Sequence, residues 1–347
     1  MQTELLVVDP IDPQPERIAR AAAVLRRGGL VAFPTETVYG LGANALDAAA
    51  VAGIFRAKGR PANNPLIVHV AEWRDALPLV ADWPPVAEGL AGRFWPGPLT
   101  LVLPKRDVVP DLVTAGGATV AVRVPAHPVA LALLRAAGVP VAAPSANRST
   151  QLSPTRAAHV QRGLDGLIDM ILDGGPTTGG LESTVLDVTT TPPRLLRPGL
   201  IAPAELEALI GPIGRISPIH EAAALPSPGM MSRHYAPRTP LECVEGDAME
   251  RVRTLLNAGE RVGWLIFGRW IIWDNLFTAD PDTRWGGVFT AELPCDPAEC
   301  SAKLYDLLHH LDEDIVLTRL VVELPPDTPE WLAVRDRLRR ASSGESC

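Results

Sequence analysis

Cysteine is scarce in this chain of 347 residues: there are four, and none precedes Cys243. Cys243, Cys295, Cys300 and Cys347 form no CxxC pair. That argues against a disulfide framework or a cysteine zinc site and makes a reducing cytoplasm the expected location. Long apolar runs are missing as well, none reaching the roughly 18–20 residues of a membrane span. The start, Met1-Gln2-Thr3-Glu4, lacks a basic region ahead of an apolar core, so no secretory leader is expected. Basic excess is also absent, the net charge being −8. Residues 1–236 balance 20 Lys and Arg against 20 Asp and Glu, whereas residues 237–347 hold 12 against 20. The acidic part is poorly suited to gripping a phosphate backbone. The balanced part can still own a cationic pocket.

What remains is a folded composition, 47% apolar and 21% charged. The length points to two domains. Pro15 and the face Ile18, Ala22, Leu25 predict a helix over 15–28, and Asp47 and Gly59 bracket another over about 48–58. Short apolar strands are expected at 30–33, 66–70, 99–103 and 119–124, with a helix near 128–137 and another opened by Ser153-Pro154. Several strands succeed one another without a helix, so a mixed, twisted sheet is expected rather than a parallel one. Residues 202–240 are rich in Pro, Gly, Ser and Ile and read as a long linker. Beyond it, a strand at 261–267, a helix at 298–311, a strand at 320–324 and a helix at 329–340 suggest a smaller α/β domain. The expected division is 1–205, 206–239 and 240–347.

Residues able to do chemistry crowd between Pro34 and His69. Pro34-Thr35-Glu36-Thr37-Val38-Tyr39-Gly40, Lys58-Gly59-Arg60-Pro61 and Asn64-Pro65-Leu66-Ile67-Val68-His69 set hydroxyls, two cations, an amide and an imidazole between short strands. A cation at a helix end opposes the helix dipole, which would explain either Lys58 or Arg60. Two of them around a glycine also suit phosphate oxygens, Arg as a planar fork and Lys as a mobile point charge. Thr35, Thr37 and Tyr39 alternate, which equally describes a solvated strand face. Arg123 interrupts the run Val120-Ala121-Val122-Arg123-Val124, and a buried guanidinium needs a partner. That partner is either a structural carboxylate, such as Glu36 or Glu182, or the carboxylate of a bound amino acid. Gly174 to Gly180 lacks the P-loop pattern and leads into a strand, so it reads as a flexible turn presenting Glu182-Ser183-Thr184. His220-Glu221 and His309-His310 lack metal-ligand spacing, and no dedicated protein metal site is expected.

As a set, these motifs, with Ser145-Ala146-Asn147 and Leu195-Leu196-Arg197-Pro198-Gly199, resemble the YrdC/Sua5 family. The resemblance covers about residues 13–240, and 241–347 more weakly through the closing Trp331–Leu338 helix. It implies a YrdC-like α/β domain with a mixed twisted sheet around a concave pocket, a linker, and a Rossmann-like Sua5 domain. The implied activity is that of an L-threonylcarbamoyladenylate synthase: L-threonine, bicarbonate or carbon dioxide, and ATP (with Mg²⁺) give threonylcarbamoyl-AMP and pyrophosphate for the t6A modification of tRNA. A downstream threonylcarbamoyl transferase is the implied partner, with no membrane and no tight direct nucleic-acid binding. By the same resemblance Thr37, His69, Thr119, Arg123, Ala143 and Ser183 contact threonine. Asn64, Ser145, Asn147, Ser153, Arg197 and Tyr235 join Lys58 and Arg60 at ATP, and those two cations carry catalysis. Residues 227–237, with Ser227-Pro228-Gly229-Met230 and His234-Tyr235-Ala236-Pro237, are implied to act as a lid. The rival readings are a non-catalytic tRNA- or double-stranded-RNA-binding module and a carbamoyl-transferring maturation factor, whose companion acylphosphatase and zinc-finger segments are not evident in this sequence.

Overall fold

A computed structural model describes residues 2–215, 234–268 and 288–342. The chain divides into two compact units, Met1–Ser149 with Ser153–Met231, and Thr150–Leu152 with Ser232–Cys347.

The first unit contains strands β1 (Glu4–Val7), β2 (Val31–Phe33), β3 (Gly40–Asn44), β4 (Ile67–His69), β5 (Leu99–Pro104), β6 (Thr119–Arg123), β7 (Val141–Ala142), β8 (Met170–Asp173), β9 (Thr184–Asp187), β10 (Arg194–Arg197) and β11 (Gly214–Arg215). Its helices are α1 (Pro15–Arg26), α2 (Ala48–Lys58), α3 (Pro85–Phe94), α4 (Asp111–Thr114), α5 (Pro128–Ala137), α6 (Ala157–Leu164) and α7 (Pro203–Ile210). The strands form one mixed sheet in the order β1-β8-β2-β3-β7-β4-β6-β5-β9-β10-β11. Pro15 stands in the first turn of α1. The Asp47 carboxylate caps α2 by accepting from the Ala49 and Ala50 amides, worth about 1 kcal/mol, and Gly59 ends it at φ 60°. Leu25, Val24 and Ala21 of α1 pack with Leu133 and Leu134 of α5 and with Val31 and Phe33 in the core.

Two expectations fail here. Ser153-Pro154 does not open a helix: α6 begins at Ala157 behind Arg156, and Ser153 is fully buried. The segment read as a linker from 202 begins with α7, which buries Pro203 and Leu206, and continues into β11 beside β10. Proline at the first helical position marks a start as readily as it stiffens a linker. Residues 216–233, which include most of the proposed lid and His220-Glu221, lie outside the described residues.

The middle of this sheet has two unlike faces. Ile67 pairs with Ala121 and His69 with Arg123 across β4 and β6, and Ala121 pairs with Val102 of β5. Pairing partners and alternate residues share a face. One face therefore carries Thr119, Ala121 and Arg123 of β6, Ile67 and His69 of β4, and Thr100 and Val102 of β5. Ile67, Val102, Ala121, Val185 and Leu196 join as an apolar floor there. The opposite face, with Val68, Leu101, Val122 and Leu186, is sealed at 0% exposure, whereas Ile67 and Ala121 keep 6% and Leu196 5%. Val102 keeps 2% and Val185 none, so both faces are buried and the floor has the larger residual exposure, at Ile67, Ala121 and Leu196.

The second unit has β12 (Leu241–Val244), α8 (Met249–Asn257), β13 (Val262–Phe267), β14 (Val288–Leu293), α9 (Pro297–Glu313), β15 (Arg319–Glu323) and α10 (Leu332–Ser342). Among the described residues its four strands are ordered β12-β15-β13-β14, and their ladders are parallel. Val252, Val262, Trp264 and Val321 lie in its core. Among the described residues, no helix is long and apolar enough to cross a membrane.

Gly199 comes just after β10, where the chain touches its own backbone. A Cβ at Gly199 would stand 2.3 Å from the Thr184 nitrogen and 2.6 Å from the Glu182 oxygen. Gly199→Ala is expected to destabilise the first unit by about 1–3 kcal/mol, as overpacking does. Urea denaturation monitored by circular dichroism would measure it, and an unchanged midpoint would contradict the close approach.

Candidate active site

The polar side chains on and around the floor face fall into three linked groups. The first gathers at the carboxyl ends of β4 and β6. Arg123, 3% exposed, donates from Nε to the Gly97 carbonyl (3.2 Å) and from Nη2 to Glu36 Oε1 (2.6 Å) and Thr37 Oγ1 (3.0 Å). Thr37 Oγ1 lies 2.7 Å from Thr35 Oγ1, and Thr35 Oγ1 donates to the Val38 carbonyl. This turn explains the alternating hydroxyls: they fold inward instead of lining a solvated strand. Glu36 Oε2 accepts the Ala126 amide at 2.9 Å, so one carboxylate ties the β2–β3 loop to the segment after β6. Both readings of Arg123 are compatible with this geometry, because Nη1 makes no hydrogen bond among the described residues. His69 stands beside Arg123 in register, buried, with Nδ1 lacking a hydrogen-bond partner. Burial, then the Arg123 charge, pushes its pKa from 6.5 to about 3, so the ring is neutral near pH 7.

The second group lies across the neighbouring strands at the same edge. Thr100 Oγ1 is 2.8 Å from Ser183 Oγ, just ahead of β9. Arg197 at the end of β10 donates from Nε and Nη2 to the Ser183 carbonyl (3.1 and 3.0 Å) and from Nη2 to Ser183 Oγ (3.1 Å). Ser153 donates to Glu182 Oε1 at 2.5 Å. The Gly174–Gly180 turn is anchored rather than loose: Gly179 donates its amide to the Glu36 carbonyl, and buried Tyr39 donates its hydroxyl to the Gly175 carbonyl.

The third group sits at the amino end of β4, where α2 ends and the chain leaves β7. Lys58 is 2% exposed, and its Nζ donates to the Ser145 and Asn147 carbonyls, both at 2.5 Å. Ser145 Oγ donates to Asn147 Oδ1 at 2.5 Å. Arg60 donates to Asn64 Oδ1 (2.6 Å) and to the Asn64 and Pro65 carbonyls. Burial, then the Arg60 charge, drives the Lys58 pKa well below the ordinary lysine range. Among the described residues no carboxylate bonds to Lys58, whose acceptors are all amide oxygens, and this is the chemistry of a site that waits for an anion.

The structure therefore gathers Thr37, His69, Arg123 and Ser183 along one edge, and Lys58, Arg60, Asn64, Ser145 and Asn147 at the other end of the strands. Ala143 comes directly after β7, its amide on the Ile67 carbonyl, beside the third group. Thr119 shares the face of Arg123 but starts β6, about 13 Å along the strand at roughly 3.3 Å per residue. It is not joined to the Arg123 cluster. Ser153 reaches Glu182 and heads no helix. Tyr235 belongs to the second unit, where it is 1% exposed, 5.9 Å from the Tyr305 ring and beneath the Arg337 guanidinium at 5.0 Å. Thr100 and Glu182 were missed as site residues. The signal for Thr100 was the one used for Arg123, a polar residue inside the apolar run Leu99-Thr100-Leu101-Val102-Leu103.

A mixed sheet with buried arginines at one edge and buried cations at the other end of its strands makes the first unit an α/β domain suited to anionic groups, and a small parallel α/β unit follows it in the chain. Comparison with known proteins gives the family. The Sua5/YciO/YrdC profile, described as "Telomere recombination", matches residues 23–199, and one described as "Threonylcarbamoyl-AMP synthase, C-terminal domain" matches 201–343. The threonylcarbamoyl-AMP synthase of Bacillus subtilis (strain 168) is 46% identical over 344 residues, 97% of this chain and 96% of that one. That of Pyrococcus abyssi is 46% identical over 339 residues, 94% of both. The crystal structure of P. abyssi Sua5 complexed with L-threonine superposes with TM-score 0.87 at 43% identity, covering 98% of each chain. E. coli YciO matches with TM-score 0.52 at 26% identity, over 57% of this chain and 96% of its own. The chain belongs to the two-domain Sua5 family of threonylcarbamoyl-AMP synthases.

The neutral burial of His69 has a measurable consequence. A histidine at 6.5 unfolded and about 3 folded leaves stability complete above pH 6.5 and removes it progressively from there down to pH 3. The slope is about 1.4 kcal/mol per pH unit. His69→Gln should lower the acid dependence of the unfolding free energy by that amount per unit between pH 6 and 4. Parallel slopes for the two proteins would refute the burial of a neutral ring.

Proposed function

We propose that this chain joins L-threonine, bicarbonate or carbon dioxide, and ATP into threonylcarbamoyl-AMP and pyrophosphate, for transfer by a downstream enzyme to tRNA. One observation carries the reading: the polar cluster around Arg123 lies at the carboxyl ends of β4 and β6, and the buried Lys58 and Arg60 lie at the amino end of β4, with the apolar floor along the strands between. That separation suits a product with an amino acid at one end and an adenylate at the other.

The free Nη1 of Arg123 is offered to the threonine carboxylate, with Thr37 fixing the guanidinium from the side. The unpartnered Nδ1 of the neutral His69 ring is available to the amino acid, as donor or acceptor according to tautomer. Ser183, held by Thr100 and Arg197, supplies a hydroxyl at the same edge. The threonine amine, deprotonated, attacks the carbon of carbon dioxide, forming the N–C bond of a carbamate as one C=O π bond opens onto oxygen and the amine releases a proton; bicarbonate reaches the same carbamate with loss of water. A carbamate oxygen then attacks the α-phosphorus, and the bond to the pyrophosphate oxygen breaks. Both reactants in this step are anions, so its barrier is largely electrostatic, and Lys58 and Arg60 act on that term. Holding the two anions on one surface supplies the rest. Among the described residues no group of three or more His, Cys, Asp or Glu is placed to hold a metal. Mg²⁺ enters this proposal as part of the nucleotide substrate.

Pyrophosphate release from ATP and bicarbonate should require L-threonine, with L-serine a poorer substrate and no release without an amino acid. Release that ignores the amino acid would defeat the proposal. Lys58→Ala and Arg60→Ala should each abolish release while the circular dichroism spectrum persists, and normal release by both would end their assignment to catalysis. Lys58 gives an independent check. Its pKa is depressed in the free protein, and a polyphosphate beside it raises that value. ATP binding should therefore take up protons over the pH range between the free and bound values, and not release them. Calorimetry in two buffers of different ionisation enthalpy would count them, and Lys58→Met should remove the uptake.

A further inference from the structure

Thr100 and Ser183 hold one hydroxyl proton more than their surroundings accept. Their oxygens lie 2.8 Å apart, and both residues are 0% exposed. Each hydroxyl has one proton and two acceptor lone pairs. Arg197 adds a third donor, its Nη2 standing 3.1 Å from Ser183 Oγ. Two of the three protons are therefore placed. The Arg197 proton lies on Ser183 Oγ, and one hydroxyl donates to the other. The remaining hydroxyl proton has no acceptor among the described residues, because neither oxygen has a further partner. With no exposed surface, water does not take it either. Buried polar hydrogens are almost always matched, and an exception at a binding edge points to an acceptor that arrives with a ligand.

The strand pairings put Thr100 at the centre of that edge. Leu101 pairs with Val122, so Thr100, one residue back along β5, comes level with Arg123, which itself pairs with His69. On its other side Thr100 pairs with Val185 of β9, and Val185 with Arg197 of β10. One line across the sheet thus reads His69, Arg123, Thr100, Val185, Arg197, with Thr100 between the two arginines. The β-branched Thr100 is stiff about χ1 and makes a fixed donor, whereas a serine hydroxyl left to itself turns freely. Protons from Thr100 and Arg197 together fill both lone pairs of Ser183 Oγ and leave its own O–H one direction to point. We propose that Thr100 is a positioning residue for amino-acid binding: it donates to Ser183 Oγ and so aims the Ser183 proton at an acceptor oxygen of the bound amino acid. The inference rests on the reading of this edge as the threonine site.

Calorimetric titration with L-threonine, alongside pyrophosphate release at varied threonine and ATP, tests it on the full chain. Thr100→Val keeps the shape of the side chain and removes the hydroxyl. It should raise the dissociation constant and the KM for threonine about five- to tenfold, as loss of one directed hydrogen bond does, with the KM for ATP roughly unchanged. Thr100→Ser should restore most of the affinity. In a Ser183→Ala background, Thr100→Val should weaken threonine binding no further, because its route to the ligand is gone; a merely structural threonine would weaken both backgrounds alike. Three results would each overturn the inference and leave the threonine site standing: full threonine affinity in Thr100→Val, a loss that Thr100→Ser does not recover, or an equal loss with and without Ser183. Wild-type protein that binds no L-threonine would remove the inference together with the reading beneath it.

Discussion

The buried guanidinium of Arg123 is the constraint around which the first unit is arranged. It breaks an apolar strand, so it stands in the middle of the sheet with almost no water to solvate it. Glu36, the Gly97 carbonyl and Thr37 answer that need, drawn from the β2–β3 loop and from the segment ahead of β5. Losing Glu36 would leave a buried charge unpaired, a change that costs about 3–5 kcal/mol in comparable pairs. Because Glu36 also holds the Ala126 amide, solvating one arginine fixes the β2–β3 loop, the segment ahead of β5 and the chain after β6 together. Those are the segments that shape the floor face.

Much of the candidate site was legible in the sequence because its polar residues stand in short local motifs. Asp47 and Gly59 bracket α2, so the positions of Lys58 and Arg60 at its end could be read from capping alone. Arg123 declared itself by interrupting Val120 to Val124. The illegible parts depend on contacts far apart in the chain. Thr100 shows only as a polar interruption of an apolar run, a weak signal because threonine is common in strands; its meaning comes from Ser183, eighty-three residues later. Ser153-Pro154 carries a good helix-start signal that tertiary packing overrides, since Ser153 turns inward to Glu182. Pro203 misled in the other direction, as one proline can begin a helix or stiffen a linker. The short strands β7 and β11, two residues each, are too brief to leave a periodic signature.

The two ends of the floor face meet their charge in different ways. Arg123 is paired by a carboxylate and keeps one nitrogen available. Lys58 is surrounded by carbonyl oxygens, which accept hydrogen bonds and neutralise nothing. Between them runs an apolar floor that displaces water without offering competing polar partners. An unstable carbamate is better protected on such a surface than in bulk solvent.

The carbonyl cage around Lys58 also bears on how anions are told apart. A permanently charged lysine at a pocket mouth draws every passing anion and speeds arrival through long-range steering. A buried amine, its pKa pushed down by burial and the Arg60 charge, is shielded from such long-range traffic. Its charge is costly to hold in a dry setting, and an arriving anion offsets that cost in proportion to how closely it is held. An anion with few other contacts offsets little of it, and one held along its length offsets more. Discrimination here depends on the cost of carrying charge as well as on the charge itself.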